Sequence, residues 1–174
     1  VVVHGGGKAI SRAMDAAGIE PRFVQGRRYT DRATLEIVER VLATELNHDL
    51  VAKIEEFGGR AMSLNFRSTN VLFGEPLNLC YPEGASIDLG RVGEVTRVDR
   101  LTIDNLAYAG QVPVIPSMAL GEDGEKLNVN ADTAATAVAA AINAEKLVVL
   151  SDIPGVLADR DDPESLIHSL TAGE

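Results

Sequence analysis

The feature that most constrains the fold is the alternation of short β-branched apolar runs with stretches of helical periodicity. Residues 1–3 form such a run, and a glycine-rich loop and a helical pattern ending at Gly18 follow it. A longer helical pattern begins after Thr30 and Asp31, which are candidate N-caps, and extends to Gly58. Strands that alternate with helices predict an α/β fold, a three-layer αβα sandwich around a mainly parallel sheet.

The later apolar runs predict more elements of both kinds. Strands are expected at 61–64, 71–77, 92–98, 112–115 and 146–150, and helices at 101–109 and from Asp132 to about Ile142. Asp132 is a candidate N-cap of that last, alanine-rich helix. The dipeptide Asp123-Gly124 predicts a hairpin turn, so antiparallel strands are expected beside the parallel sheet.

The composition excludes several classes of function. The 174 residues include 26 Asp and Glu against 16 Lys and Arg, and this net charge of −10 argues against sequence-independent binding of nucleic acids. No apolar run approaches the ~18–20 residues that span a bilayer, so no membrane partner is expected. A single cysteine, Cys80, permits no internal disulfide and suits a reducing cytoplasm. The three histidines are scattered, and we expect no metal site built from side chains.

The loop of residues 5–7 is the first candidate site, because it holds three glycines between a strand and a helix. Glycines allow the backbone to approach a ligand closely, and a helix N-terminus favours negative charge. The pattern therefore predicts an anion site, although a tight strand-to-helix turn without a ligand is the alternative. The chain contains neither a Walker A loop nor a dinucleotide fingerprint.

Two other polar segments are candidates for ligand contacts. Arg27 and Arg28 precede the long helix, and a guanidinium can hold a carboxylate in two hydrogen bonds, although solvated loop charges are the alternative. Asn128 and Asn130 alternate with apolar residues and are predicted to share one face of a strand. An Asx turn in which Asp132 only caps the following helix explains the acid but not the two amides.

In order, these segments resemble the amino acid kinase family, within it the branch that phosphorylates N-acetyl-L-glutamate. The matching runs are V-V-V-H-G-G-G, G-R-R-Y-T-D, V-G-E-V, V-P-V-I, K-L-N-V-N-A-D-T-A-A and E-K-L-V-V-L-S-D-I-P-G-V-L. The resemblance implies transfer of the γ-phosphoryl group of ATP, with Mg²⁺ held mainly by the nucleotide, to the side-chain carboxylate of N-acetyl-L-glutamate in arginine biosynthesis. It also implies a cytoplasmic homodimer or higher homo-oligomer.

The resemblance assigns substrate contacts to five of the singled-out residues. Gly6 and Gly7 would contact the substrate and the charge that develops on the phosphoryl group. Arg28 would clamp the α-carboxylate. Asn128 would bind the substrate, with Asn130 nearby.

The remaining implied roles concern catalysis and the nucleotide. Asp132 would organise the catalytic lysines. The nucleotide site would be lined by Asp152, Ile153, Pro154, Gly155, Val156 and Leu157. Residues 1–144 would then form an incomplete amino-acid lobe, and residues 145–174 the start of a nucleotide lobe.

Some positions depart from the family pattern. Lys8 stands where the branch usually has proline, and residues 63–70 replace its usual glycine-rich stretch. These departures leave open a sister kinase that acts on carrier-linked aminoadipate, or a non-catalytic ligand-binding module of the same fold. The family's lysine-bearing first strand and its later lysine segment have no match in the sequence. We therefore expect residues 1–174 alone to be inactive.

Overall fold

The computed structural model describes residues 1–80, 86–151, 153, 155–159 and 161–171. Among these residues, the strands are β1 (Val2–His4), β2 (Phe23–Val24), β3 (Arg27–Arg28), β4 (Ala61–Ser63), β5 (Leu72–Pro76), β6 (Leu79–Cys80), β7 (Ser86–Ile87), β8 (Val92–Val98), β9 (Val112–Pro116), β10 (Met118–Leu120) and β11 (Lys126–Val129). The helices are α1 (Gly7–Ala16), α2 (Arg32–Glu39), a π-helical segment (Arg40–Leu46), α3 (Asn47–Glu56), α4 (Arg100–Tyr108) and α5 (Ala131–Ala141).

A parallel sheet with strand order β1-β9-β4 lies at the centre of the α/β unit. Successive residues of β1 face opposite helical layers. Val3 packs on the apolar cluster that contains Ile103 of α4 and Val138 of α5, whereas the ring of His4 contacts Asn47 at the start of α3. Helices therefore cover both faces of the sheet, and the predicted αβα sandwich is confirmed.

A second, mixed sheet closes on itself in the order β10-β11-β8-β5. Its antiparallel pair β10–β11 contains the predicted hairpin turn, where Gly124 has a φ of +79° that favours glycine. In the same sheet β11 runs parallel to β8 and pairs Asn128 with Val92. This pairing brings the end of β11 beside the loop that leaves β1.

The long helical stretch begins as predicted and then departs from regular α-geometry. Asp31 is its N-cap and accepts a 2.8 Å hydrogen bond from the backbone N–H of Thr34, which holds the pKa of the Asp31 carboxyl below its usual value. The centre of the stretch is the π-helical segment. There the side-chain amide of Asn65 donates to the carbonyl of Ala43 at 2.7 Å, and a side chain inserted into the helical ladder is a known cause of such irregularity.

The predicted N-cap of the alanine-rich helix is wrong by two residues. Asn130, not Asp132, caps α5, because its side-chain oxygen accepts from the backbone N–H of Thr133 at 3.0 Å. Asp132 lies two residues later, within the first turn of the helix, and its side chain is exposed. Asn and Asp cap helices about equally well, so the residue type alone did not separate the two positions.

The predicted buried strand at 146–150 is also wrong. These residues have no regular secondary structure, and Leu150 is 94% exposed. A strand requires a neighbouring strand to satisfy its backbone groups, and no described strand pairs with this segment. No helix of the described residues is long and apolar enough to cross a membrane.

Candidate active site

A cleft of about 230 Å³ lies where the loops after β1 and β11 meet strands β2 and β3. The residues around it are Gly5, Gly6, Gly7, Ile10, Phe23, Gly26, Arg27, Arg28, Leu42, Val92, Ser117, Asn128, Val129, Asn130 and Ala131. Its volume is below the roughly 300–1,000 Å³ typical of drug-sized ligands. The cleft therefore suits a small molecule, and it contains every substrate-contact residue that the sequence singled out.

Two helix N-termini border this cleft. Helix α1 begins at Gly7 and α5 begins at Ala131, and a Cβ built on Gly5 would lie 2.9 Å from the Cβ of Ala131. Gly6 is the N-cap of α1 and provides no side-chain acceptor, so the first N–H groups of that helix lack a partner within the helix. Both helix dipoles present positive potential to the same space. This local potential opposes the acidic net charge of the chain.

Packing against the π-helical segment favours glycine at position 6. A Cβ at this position would lie 2.8 Å from Cδ2 of Leu42 and would also collide with Leu46. The glycine loop thus rests directly on the π-helical segment, and no larger residue fits there without displacing two core leucines.

Arg28 is buried, with 8% of its surface exposed, so the alternative of a solvated loop charge is wrong for this residue. Its guanidinium donates to the carbonyl of Gly7 at 3.1 Å, to Oγ of Ser11 at 2.8 Å and to Sδ of Met14 at 3.2 Å. Burial lowers the pKa of Arg28 from its usual value, while the charge of nearby Asp15 acts in the opposite direction. These three hydrogen bonds therefore hold β3 against α1, beside the glycine loop.

The hairpin that presents Arg28 was missed by sequence reasoning. Strands β2 and β3 are joined through Gln25 and Gly26, which have φ values of +48° and +74°. Positive φ at both central residues is the signature of a type I′ turn, and the residue pair before the two arginines was the available signal. The hairpin also brings Phe23 to the cleft, where its ring lies 4.8 Å from the Arg28 guanidinium carbon.

A chain of hydrogen bonds connects Asn128 to the arginine segment. The Asn128 amide donates to Oγ1 of Thr30 at 3.0 Å, and that hydroxyl donates to the carbonyl of Arg28 at 2.8 Å. Thr30 is fully buried, and the sequence indicates it only as a candidate helix cap and as a member of the G-R-R-Y-T-D run. An amide has two donors and an acceptor oxygen, so Asn128 retains hydrogen-bonding capacity toward the cleft. Asn130 borders the same space while it caps α5.

Asp132 does not border this cleft. It lies on a second, larger cavity of about 650 Å³ between β1, α5 and the segment that includes Lys146. Its position in the first turn of α5 places a carboxylate where the helix dipole stabilises negative charge. The two cavities share Gly5 and Ala131, so these two residues lie between the cleft and the cavity that Asp132 lines.

The residues proposed for the nucleotide are only partly described. Ile153, Gly155 and Val156 are exposed, and Leu157 forms an isolated antiparallel bridge with Leu166. Asp152 and Pro154 lie outside the described residues. In the described ranges, no group of three or more His, Cys, Asp or Glu side chains is arranged to hold a metal ion.

Comparison with known proteins identifies the family. The amino acid kinase family matches residues 1–174. An acetylglutamate kinase of Methanopyrus kandleri is 47% identical over 97% of this chain and 68% of its own length. An acetylglutamate kinase of Methanosphaera stadtmanae is 41% identical over 100% of this chain and 60% of its own length. The chain spans about 60% of the length of most of the curated relatives it matches.

Solved structures give the same fold. The crystal structure of smu.665 from Streptococcus mutans superimposes with a TM-score of 0.80 and 29% identity, over 90% of this chain and 61% of that one. N-acetylglutamate synthase from Neisseria gonorrhoeae superimposes with a TM-score of 0.70 and 24% identity, over 90% of this chain and 35% of that one, which shows the fold alone. By its sequence over all 174 residues, and by the fold that places the cleft, this chain belongs to the amino acid kinase family.

Proposed function

We propose that this protein transfers the γ-phosphoryl group of ATP to the side-chain carboxylate of N-acetyl-L-glutamate. The observation that carries the proposal is the charge pattern of the cleft. Arg27, Arg28 and two helix N-termini surround it, and the described residues that line it include neither Asp nor Glu. Such a site attracts carboxylates and offers no anionic partner for a free α-ammonium group.

The absence of an acid among these residues favours an N-acylated substrate over a free amino acid. An acyl group on the α-nitrogen removes the positive charge that would otherwise need a carboxylate partner. Ile10, Phe23, Leu42 and Val92 add apolar surface to the cleft, which suits the methyl group of an acetyl.

The acceptor chemistry agrees with the side chains present. A side-chain carboxylate with a pKa of about 4.3 is already ionised at neutral pH, so no general base is required to activate it. What remains is to hold the two reactants together and to neutralise the charge that develops on the phosphoryl oxygens. We assign the first task to Arg28, Asn128 and Asn130, and part of the second to the N–H groups of Gly6 and Gly7.

The nucleotide side of the reaction is assigned to the end of the chain. We infer that residues 145–174 begin a nucleotide lobe, that residues 1–144 belong to the amino-acid lobe, and that 152–157 line the ATP site. Mg²⁺ would be held mainly by the nucleotide phosphates, an arrangement that needs no cluster of protein carboxylates. We also propose a cytoplasmic homodimer or higher homo-oligomer, as the family resemblance implies.

Two alternatives are retained because specific observations favour them. Lys8, at the second position of α1, is the departure that a sister kinase for carrier-linked aminoadipate shares. The fold similarity to a protein named N-acetylglutamate synthase means that the fold by itself does not specify kinase activity. A non-catalytic binding module of this fold is therefore the second alternative.

A substrate panel separates these possibilities. ADP release by the complete gene product is measured with N-acetyl-L-glutamate, L-glutamate, N-acetyl-L-aminoadipate and carrier-linked aminoadipate. We expect kcat/KM for N-acetyl-L-glutamate to exceed that for L-glutamate by at least ~100-fold, because the free ammonium has no partner. Preference for the carrier-linked substrate would establish the sister kinase. Calorimetric binding without turnover of any of the four would establish the binding module.

Replacing Arg28 by lysine is expected to raise KM for the amino-acid substrate ~10- to 100-fold and to leave KM for ATP within about twofold. Lysine keeps the charge but loses the planar fork. Nη2 of Arg28 already donates to the carbonyl of Gly7 and to Oγ of Ser11. A carboxylate that accepts two hydrogen bonds from the guanidinium would use Nη2 together with either Nη1 or Nε. It would therefore replace at least one of these internal hydrogen bonds.

Two control variants separate binding from the structural role of Arg28. Ser11→Ala removes one internal partner without changing charge, and Arg27→Lys changes the neighbouring cation at the same cleft. We expect both to keep KM within about threefold of wild type. An unchanged KM in Arg28→Lys, together with a raised KM in Arg27→Lys, would transfer the clamp to Arg27.

A further inference from the structure

A buried histidine lies directly under the glycine loop. His4, the last residue of β1, is 9% exposed, and its Nδ1 lies 3.2 Å from the carbonyl oxygen of Gly5. Its Nε2 lies 3.1 Å from Nδ2 of Asn47, and the same Asn47 amide donates to the carbonyl of Val114 at 3.1 Å. The sequence places His4 in the glycine-loop motif and assigns it no role.

The partners of the ring determine its protonation. A carbonyl oxygen only accepts, so Nδ1 carries the proton and donates to Gly5. Val114 identifies Nδ2 of Asn47 as the amide nitrogen, so Nε2 of His4 accepts its second hydrogen. His4 is therefore a neutral imidazole with the proton on Nδ1. Rotating the Asn47 amide would break its bond to Val114 and the bond that its oxygen accepts from Ser63.

The hydrogen bonds continue from this pair into the helix. The hydroxyl of Ser63 donates to Oδ1 of Asn47, and the amide of Asn65 donates to that hydroxyl at 2.7 Å and to the carbonyl of Ala43 at 2.7 Å. Among the described residues, every buried side-chain nitrogen and oxygen has a partner. The network thus links the glycine loop to the π-helical segment through fully satisfied polar groups.

The bond to Gly5 has a geometric consequence for the cleft. In a trans peptide the carbonyl of Gly5 and the N–H of Gly6 point in opposite directions. A carbonyl held toward the His4 ring therefore turns the Gly6 N–H away from that ring. Glycines impose little conformational preference of their own, so the loop depends on outside contacts for its orientation.

We propose that His4, held by Asn47, is a positioning residue that fixes the Gly5–Gly6 peptide so that the loop N–H groups face the charge developing during phosphoryl transfer. This inference rests on the proposed function. It assigns to His4 no contact with substrate and no proton transfer. The ring acts only through the orientation of the loop, which is preorganised before the reaction.

The environment of His4 favours the neutral ring. Burial lowers its pKa from the usual 6.5, and the hydrogen bond to Gly5 acts in the opposite direction. Asn47 and Ser63 contribute no charge to this network, and Asp132 and Lys146 are the other ionisable side chains that line the larger cavity, which His4 borders. Protonation would set an N–H of the ring against the amide of Asn47.

Two variants of the complete gene product test the proposal. His4→Asn places an amide nitrogen near the position of Nδ1 and retains the bond to Gly5. His4→Gln reaches the position of Nε2 and retains only the bond to Asn47. We expect kcat to fall less than ~10-fold in the first and ~100-fold or more in the second, since one lost oxyanion donor costs about 10²–10³. KM for N-acetyl-L-glutamate should stay within about threefold in both.

Each outcome has a defined meaning. Equal losses of kcat in the two variants, or an unaffected kcat in His4→Gln, would overturn the positioning role. If His4→Gln does not fold, the pH profile decides: kcat of the wild type should decline at a pH below the usual histidine pKa, where the buried ring becomes protonated, and kcat of His4→Asn should not. Coincident profiles would overturn it too. A wild type that phosphorylates none of the panel substrates refutes the proposed function instead, so the two failures are distinguishable.

Discussion

Replacing Asp132 by asparagine is expected to lower kcat of the complete protein by at least ~100-fold while the fold remains intact. Asp132 is not the cap of α5, because Asn130 makes that hydrogen bond. The substitution therefore costs only the interaction of a carboxylate with the helix N-terminus, about 0.3–1 kcal/mol of unfolding free energy. A large loss of activity would consequently report on chemistry rather than on stability.

The expected loss follows from the proposed role of Asp132 on the larger cavity, which adjoins the glycine loop through Gly5 and Ala131. We propose that its carboxylate there holds cationic side chains of the complete protein in position for the phosphoryl group. Charges that are preorganised around a developing charge supply a large share of catalysis. Asparagine keeps the shape but removes the charge.

The measurement pairs kcat from ADP release with unfolding in urea. Asp123→Asn is the matched control, since Asp123 is an exposed acid in the β10–β11 turn, at the end of β11 opposite to the end that lines the cleft. We expect this control to be silent in both measurements. Wild-type kcat in a stably folded Asp132→Asn protein would remove Asp132 from the catalytic assignment.

The elements that could be predicted from sequence are those specified by local chemistry. The glycine loop before α1, the N-cap at Asp31 and the turn at Gly124 each depend on residues within a few positions, and the structure has them as expected. The grouping of Arg28 and Asn128 at one cleft was predictable from the family resemblance. The hydrogen bonds through the Thr30 hydroxyl that connect them could not be predicted, because the two residues lie 100 positions apart in the chain.

The features that sequence did not predict depend on partners distant in the chain. The segment 146–150 has the composition of a strand, but composition does not supply a neighbouring strand, and its side chains are exposed. The choice between Asn130 and Asp132 as cap depends on where β11 ends in its pairing with β8. The neutral His4 follows from Asn47, which lies 43 positions away and on another layer.

Residues 1–174 expressed alone are expected to show no phosphoryl transfer to N-acetyl-L-glutamate. The transferring group requires several positioned cations besides Mg²⁺. Of the four lysines, Lys53 pairs with Glu56, and Lys126 of β11 pairs with Glu39 of α2, so both already have a carboxylate partner. Lys146 precedes an exposed segment without strand partners, so it has no rigid element to hold it.

The test compares residues 1–174 with the complete gene product in the same ADP-release assay. The exposed apolar side chains of 147–150 are also expected to bind a hydrophobic dye in the short protein, and far less in the complete one. Lys8, in the first turn of α1 beside the glycine loop, is the remaining lysine with access to a phosphate. Turnover by the short protein that disappears in Lys8→Ala would contradict the prediction and identify Lys8 as the phosphate clamp, because no other described lysine lies at that helix terminus.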